Sequence, residues 1–368
     1  MEENAQILVM LDPDFPLDEV QEIGIRLANS GAILPAYIPP EVGEFDVSSI
    51  IYEQSIEGLE FVVHLDRNLT SRLAKIAKSV SLIDRKWPEN LAVDLMAFCQ
   101  SMNWDIEPAV SYHELADSIG DQAAKKELAF FDLANSSNAN AWIELAQGRT
   151  DLILFPTNEF DRSNLTGDLT FPLHRWNRNY VVALKMAAID FEAIPNIEKW
   201  QKLARWMFED FNFAGPASAY ALLYFSTHGA NGGLLKNLRG ADDQKALRGI
   251  RNAAWDITYL SRMVELATVH KGLGKRHLFA SGDKKLTSIS RVVLQDQTDP
   301  QALHNAIAPW WGERAAEHLV DEIISYVTQI SKPEWQTKKL PKSISDFIFD
   351  GEEEVRQERA KLTGVVVH

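Results

Sequence analysis

Two short apolar segments of this chain each lead to an aspartate, which places a carboxylate at the end of a predicted strand. Phe61–Leu65 (FVVHL) is rich in strand-forming residues and is followed by Asp66. His277–Ala280 (HLFA) leads through two small residues to Asp283. Carboxylate oxygens are the ligands that Mg²⁺ and Mn²⁺ prefer. The two strand ends therefore predict a site that can hold a divalent metal ion.

Asp256 is a third acid with unusual surroundings, because it lies in the otherwise apolar helical segment Asn252–Leu260. An acid on an apolar helix must be neutralised by a partner or by a metal ion. Arg248 and Arg251 precede Asp256 by eight and five residues and offer an ion pair as the alternative.

The other acids also have simpler explanations. Asp66 and Asp283 can cap the helices predicted directly after them. Glu114 lies on a helical segment, where exposed glutamates are common, and Glu107 or Asp117 could take its place.

The order of these segments resembles the PIN-like nuclease superfamily. The shared pattern is an apolar strand ending in Asp-x-Asn, a later helical Glu, an Asp on a helix of small residues, and a short strand before a final Asp. The matching residues are Asp66 with Asn68, then Glu114, Asp256, and Asp283 with Ser281. The resemblance implies an α/β fold, predominantly helical, with a small parallel central sheet of PIN-like type and extensive added helices.

The resemblance also implies an activity, which is hydrolysis of RNA by a water activated on one or two Mg²⁺ or Mn²⁺ ions. Asp66, Asp256 and Asp283 are expected to bind the metal, and Glu114 to bind it or to orient the water. The residues expected to contact substrate are Arg67, Asn68, Asn252, Ser281, Lys284 and Lys285. The cationic loop Lys271–Arg276 is expected at the edge of the same site.

The resemblance, applied to the spacing of the motifs, implies three regions. About 140 residues separate Glu114 from Asp256, so a helical insertion of about 121–240 is expected within a PIN-like core of 61–300. Residues 1–60 are expected to form an acidic N-terminal α/β extension, and 301–368 a C-terminal helical extension. Gln6–Leu11 and Asp151–Phe155 are predicted as further strands, and 88–148 as helical throughout.

The charge of the chain is distributed unevenly. The 368 residues carry a net charge of −15, and residues 1–60 hold thirteen acids against a single base, Arg26. Residues 236–285 carry a net charge of +6. This asymmetry favours a nucleic-acid partner on the basic side. The resemblance implies that this partner is RNA, with single-stranded DNA less expected. A protein regulator is also left open.

Composition excludes several other classes. No apolar run approaches the roughly 20 residues needed to span a bilayer, and the acidic first residues do not resemble a secretory signal, so a cytoplasmic protein is expected. A lone Cys99 cannot form an internal disulfide. Two alternative functions stay open, namely a non-catalytic binding or regulatory protein on a degenerate nuclease scaffold and a phosphohydrolase acting on small molecules. Asp12 follows the predicted strand Gln6–Leu11 and is a weaker alternative to Asp66 as the first metal ligand.

Overall fold

The computed structural model describes residues 12–78, 86–155, 167–171, 173–226, 231–294 and 299–363. The chain forms two compact units, each built from two separate stretches. The first unit comprises 1–171 and 266–287, and the second comprises 172–265 and 288–368.

The first unit combines helices with a sheet of four strands. Its elements are α1 (Leu17–Ser30), β1 (Ile33–Pro35), α2 (Val47–Ser55), β2 (Glu60–Leu65), α3 (Arg67–Ile76), α4 (Glu89–Ser101), β3 (Asp105–Glu107), α5 (Ala109–Ile119), α6 (Asp121–Asn135), α7 (Ala139–Ala146) and β4 (Lys275–Ala280). Helices α12 (Asp243–Val269) and α13 (Lys284–Val293) each contribute four residues to this unit.

The sheet has the strand order β1-β4-β2-β3. Strands β2 and β4 are parallel neighbours along their full length, from Glu60 opposite Lys275 to Leu65 opposite Ala280. Strand β3 is parallel to β2, whereas β1 is antiparallel to β4. The expected α/β class with mostly helical content is confirmed, but the expectation of a purely parallel sheet is wrong. Strand β1 is an outer strand of the sheet and is far in sequence from its neighbour β4. No short crossover connection therefore fixes its direction.

The two central strands are mostly apolar and buried towards their carboxyl ends. Val63 and Leu65 on β2, and Leu278 and Ala280 on β4, are at most 1% exposed. Phe61 stacks on the ring of Trp104 with centroids 4.7 Å apart. The core thereby fixes the direction of both strands, and with it the position of the residues that follow them.

Three strand expectations had different outcomes. Residues 105–107 form β3 inside the segment expected to be helical throughout, because Asp105–Glu107 pairs with β2. Asp151–Phe155 is described and is not a strand. Gln6–Leu11 lies outside the described residues.

Helices make up the second unit, as far as its residues are described. They are α8 (His174–Asp190), α9 (Asn196–Glu209), α10 (Gly215–Tyr224), α11 (Asn231–Leu234), most of α12 and α13, α14 (Pro300–Trp311), α15 (Glu313–Ile330), α16 (Pro333–Gln336) and α17 (Ile344–Thr363). Its core includes the fully buried side chains of Trp200, Leu203 and Leu222. The near-continuous apolar sequence of α10 is explained by this burial.

None of the described helices is both long enough and apolar enough to cross a membrane.

Candidate active site at the sheet edge

The carboxyl ends of the three parallel strands lie at the same edge of the first unit's sheet. Asp66 directly follows β2, Glu107 is the last residue of β3, and Asp283 follows β4 after two small residues. Helices α3, α5 and α13 begin immediately beyond these strand ends. Such an edge is where open α/β sheets usually bind ligands, because loops and helix N-termini meet there.

Asp66 is held by two other residues of the predicted site. It occupies the N-cap position of α3, yet its carboxylate makes no capping hydrogen bond there. Instead, Oδ2 accepts a hydrogen bond from the Ser281 hydroxyl at 2.5 Å and another from Nδ2 of Asn68. The backbone N–H of Asp66 donates to the carbonyl of Ala280 at 3.0 Å, which continues the β2–β4 pairing. The nearby backbone N–H groups of Arg67 and Asn68 still lower the pKa of this carboxyl, so its contacts are consistent both with stabilising the start of α3 and with a role in the site.

Asn68 joins the two strand ends through both atoms of its amide. Its Nδ2 donates to Asp66 and, at 3.2 Å, to the Ser281 hydroxyl, while its Oδ1 accepts from the backbone N–H of Gly282 at 2.9 Å. Gly282 leaves no space for a side chain, because an added Cβ would lie 2.6 Å from Cβ of Pro88 and 2.8 Å from Oδ1 of Asn68. The loop after β4 is thus locked against the start of α3.

Asp283 serves partly as a helix cap. Its Oδ1 accepts from the backbone N–H groups of Lys285 and Leu286 at 2.8 and 3.3 Å, and its own N–H donates to the Ser281 hydroxyl at 3.0 Å. The side chain is exposed. Ser281 therefore links the buried Asp66 to the exposed Asp283, which share one edge and differ in their access to solvent.

Burial raises the pKa of Asp66 to about 6. The hydrogen bond from Ser281 opposes this rise, and the nearby charge of Asp283 adds to it. A buried carboxylate with a strongly perturbed pKa beside a second acid is a common feature of functional sites.

Glu114, the predicted second acid, lies in the second turn of α5, roughly 7–8 Å along the helix from its first residue. Glu107 lies nearer the strand ends, and its carboxylate accepts from the N–H of Ala109 at 2.7 Å. The alternative of Glu107 in place of Glu114 therefore remains open, and the role of Glu114 stays a prediction.

Asp256 and Asn252 belong to the second unit, where both lie on α12. The hydroxyl of Tyr220 donates to Oδ2 of Asp256 at 3.1 Å. Arg251, the ion-pair partner considered for Asp256, lies over the rings of Trp176 and Tyr180 at 4.7 and 5.4 Å. Asn252 is exposed. The participation of Asp256 and Asn252 in the site stays a prediction.

The predicted cationic contacts fall into different positions. Arg67 forms an ion pair of 2.9 Å with Glu127 on α6, whereas Lys284 and Lys285 occupy the first turn of α13 beside Asp283. The expectation for the loop Lys271–Arg276 is wrong. It leads into the beginning of β4, so it lies at the opposite edge of the sheet from Asp283.

The charge of that loop is also partly neutralised within the first unit. Lys275 pairs with Glu60 at 2.6 Å, and Arg276 lies 3.9 Å from a carboxylate oxygen of Glu53. Acids of residues 1–60 thus compensate bases near β4, which explains part of the charge asymmetry without a nucleic acid.

Trp87 is a neighbour of the site that sequence reasoning missed. Its indole N–H donates to the carbonyl of Gly282 at 3.0 Å, and its side chain is 41% exposed. The amine of Lys284 lies 5.9 Å from the centre of the ring. A tryptophan that stays in solvent beside a strand end is a signal only once the fold is known, because Trp87 and Gly282 are 195 residues apart.

Comparisons with protein-family models, with curated proteins and with solved structures found no match.

The oxygen donors at the sheet edge suit a hard divalent cation. The set consists of the carboxylates of Asp66 and Asp283, the hydroxyl of Ser281 and the amide oxygen of Asn68. Within the described ranges, no group of three or more His, Cys, Asp or Glu side chains could hold a metal ion. Magnesium commonly needs only one or two carboxylates, because it keeps several waters and binds substrate phosphates. Asp66 and Asp283 are two carboxylates at this edge that could serve as ligands, and binding of Mg²⁺ or Mn²⁺ there stays a prediction.

Three histidines of the first unit form a row that connects β2 with β4. His64 on β2 and His277 on β4 are buried, and Nε2 of His64 lies 3.0 Å from Nδ1 of His277. The other ring nitrogen of His277 lies 2.7 Å from Nδ1 of His270. Because His277 uses both nitrogens for neighbouring rings, this row supports the sheet and does not present a converging set of metal ligands.

Proposed function

We propose that the protein is a metal-dependent endoribonuclease of the PIN-like type. The observation that carries the proposal is the pairing of β2 with β4, which brings Asp66 and Asp283 to one sheet edge with Ser281 between them. The expected acid on the first strand and the expected final acid are thus neighbours through the fold. Hydrolysis of a phosphodiester bond is the chemistry that such a carboxylate pair supports best.

Asp66 and Asp283 would hold Mg²⁺ or Mn²⁺. When bound, the ion supplies a water of lowered pKa and neutralises charge on the phosphate oxygens. Asn68 and Ser281 keep the carboxylate of Asp66 in one orientation by donating to Oδ2. Glu114, or Glu107 in its place, would orient the attacking water. The expected role of Asp256 stays a prediction from the sequence.

RNA is the proposed substrate. Lys284 and Lys285 lie in the first turn of α13, where their charges add to the positive end of the helix dipole. A phosphate next to the scissile bond would bind there while the bond itself lies over Asp283. Arg67, paired with Glu127, positions α3 against α6 in this proposal and does not bind phosphate.

The proposal is tested by titrating Mn²⁺ into purified protein with end-labelled RNA. Asp66→Asn and Asp283→Asn should each abolish cleavage, since asparagine keeps a hydrogen-bond acceptor but loses the charge. Asp105→Asn is the matched control, because Asp105 is exposed and pairs with Val62 in the middle of β2, three residues before the end of that strand. Cleavage that survives both site substitutions would refute the proposal.

A second candidate is a non-catalytic binding protein on the same scaffold. It is favoured by the capping role of Asp283, which already accepts two backbone hydrogen bonds. Binding of RNA without metal and without cleavage would support this candidate. Turnover of small phosphate esters with RNA left intact would instead indicate a phosphohydrolase.

A further inference from the structure

We propose that Trp87 is a stacking platform for an unpaired base, so that the substrate at this sheet edge is single-stranded. The inference rests on the proposed function, because it specifies which form of RNA the site accepts. Three observations carry it, namely the fixed position of the indole, its exposure and the cation beside it.

The position of Trp87 is set by the same loop that ends in Asp283. Its indole N–H donates to the carbonyl of Gly282, the residue directly before Asp283, at 3.0 Å. Pro88 packs against Gly282 so closely that an added Cβ would come within 2.6 Å of it. Any group that lies on the Trp87 ring is therefore held at a constant distance from the acids.

Exposure separates Trp87 from most of the other tryptophans. It is 41% exposed, whereas six of the others, including Trp104 in the same unit, are at most 7% exposed. Placing a large aromatic ring in water costs free energy that burial would recover. A ligand with a flat apolar face would recover it by covering the indole.

Lys284 supplies the charge that such a ligand needs. Its amine lies 5.9 Å from the centre of the Trp87 ring, and Lys284 is the first residue of α13. Proteins bind single strands by combining an aromatic ring, on which a base stacks, with positive charge, which binds the phosphate. Trp87 provides the ring, and Lys284 with the N-terminus of α13 provides the positive charge. Bases within a duplex are already stacked on both faces and cannot cover the indole.

The test measures binding of a fluorescently labelled single-stranded RNA in the presence of EDTA, so that cleavage is not required. Trp87→Leu should weaken binding about tenfold or more, which is the effect of losing one stacked base. Trp87→Phe should recover part of the affinity, because it keeps an aromatic face and loses only the bond to Gly282. Tyr52→Leu is the control, since Tyr52 is 39% exposed on α2, which precedes the beginning of β2.

An abasic scan identifies the stacked base. With the wild-type protein, removing one particular base from the RNA should weaken binding about tenfold, and with Trp87→Leu the same removal should have no further effect. Equal binding of duplex and single strand, or equal binding by the wild type and Trp87→Leu, would overturn the inference. If RNA is still cleaved in Mn²⁺ in that case, the proposed function stands. If stacking is found but no cleavage, the nuclease proposal fails and the platform remains.

Discussion

The side-chain amide of Asn68 accepts a hydrogen bond from the backbone N–H of Gly282 at 2.9 Å, across 214 residues of sequence. The same side chain donates to Asp66 and to Ser281. One residue therefore connects both predicted strand ends, and the candidate site depends on it as much as on the acids.

Replacing Asn68 with alanine should both destabilise the protein and impair the site. Loss of these hydrogen bonds leaves the N–H of Gly282 without its acceptor, at a cost of about 2 kcal/mol. Urea denaturation measures the free energy of unfolding, and RNA cleavage measures the site. Asn140→Ala, at an exposed position on α7, is the matched control and should change neither. Unchanged stability of Asn68→Ala would show that the amide does not hold the loop.

Gly282→Ala should be damaging because the space for a side chain is filled. The new Cβ would meet Pro88 and Asn68 at 2.6 and 2.8 Å, so either the loop or α3 must move. Gly58→Ala provides the comparison, since Gly58 has open space but a positive φ of 69° and should cost about 1 kcal/mol. Thermal denaturation of both variants should show a larger loss for Gly282→Ala. A smaller loss would mean that the loop is not closely packed.

Asp66→Asn should change how stability depends on pH in metal-free protein. The pKa of Asp66 is about 6 in the folded protein, above its ordinary value near 4. The stabilising effect of the bound proton is complete below about pH 4 and is lost as the pH rises to about 6. Asp66→Asn should therefore gain stability relative to the wild type over this range, by at most about 3 kcal/mol.

Urea denaturation at several pH values with EDTA measures this difference. Asp121→Asn is the control of opposite sign, because the hydrogen bond from Lys125 lowers the pKa of Asp121. It should lose stability relative to the wild type as the pH rises through the acidic range. If the free energies of unfolding of Asp66→Asn and the wild type differ by the same amount at every pH, the pKa of Asp66 is not raised in the folded protein.

Asp256 can be tested separately from its contact with Tyr220. Asp256→Asn keeps an acceptor for the Tyr220 hydroxyl but loses the charge, whereas Tyr220→Phe loses the hydrogen bond but keeps the carboxylate. If Asp256 serves the metal site, Asp256→Asn should reduce cleavage about a hundredfold or more, and Tyr220→Phe should have little effect. If Asp256→Asn cleaves RNA as fast as Tyr220→Phe and the wild type in single-turnover experiments, Asp256 is not one of the metal ligands.

His277→Ala should destabilise the first unit. Nε2 of His64 loses its neighbour at 3.0 Å, and Nδ1 of His270 loses its neighbour at 2.7 Å. Removal of the His277 ring also leaves a buried cavity. A cost of about 2–4 kcal/mol is expected in urea denaturation. His318→Ala, at an exposed position of α15, should be nearly neutral by comparison.

The sequence predicted the elements whose apolar pattern is long or strongly β-forming. Phe61–Leu65 and His277–Ala280 lie within β2 and β4, and the helical segment Asn252–Leu260 lies within α12. Strands β1 and β3 were missed because three residues are too few to show an alternating pattern. Their pairing partners, which are distant in sequence, determine that they are strands.

The candidate site was predictable to a similar extent. A strand followed by an acid can be recognised locally, so the sequence points to Asp66 and Asp283 with Asn68 and Ser281, which the fold brings together. The position of Trp87 beside Gly282 depends on a tertiary contact, and no local pattern marks it. The segment Lys271–Arg276 lies at the beginning of β4, whereas Asp283 follows its end. The direction of the strand therefore separates these cations from the candidate site.

The central position of β4 also determines when the fold can be completed during synthesis. Strand β4 lies between β1 and β2, yet the ribosome makes it long after both of them. Until then β1 lacks its neighbour and one edge of β2 is uncovered, so the nascent chain must rely on its helices to avoid edge-to-edge association. Ser281, Gly282 and Asp283 arrive with β4. A nascent or prematurely terminated chain that ends before β4 would therefore lack half of the candidate site.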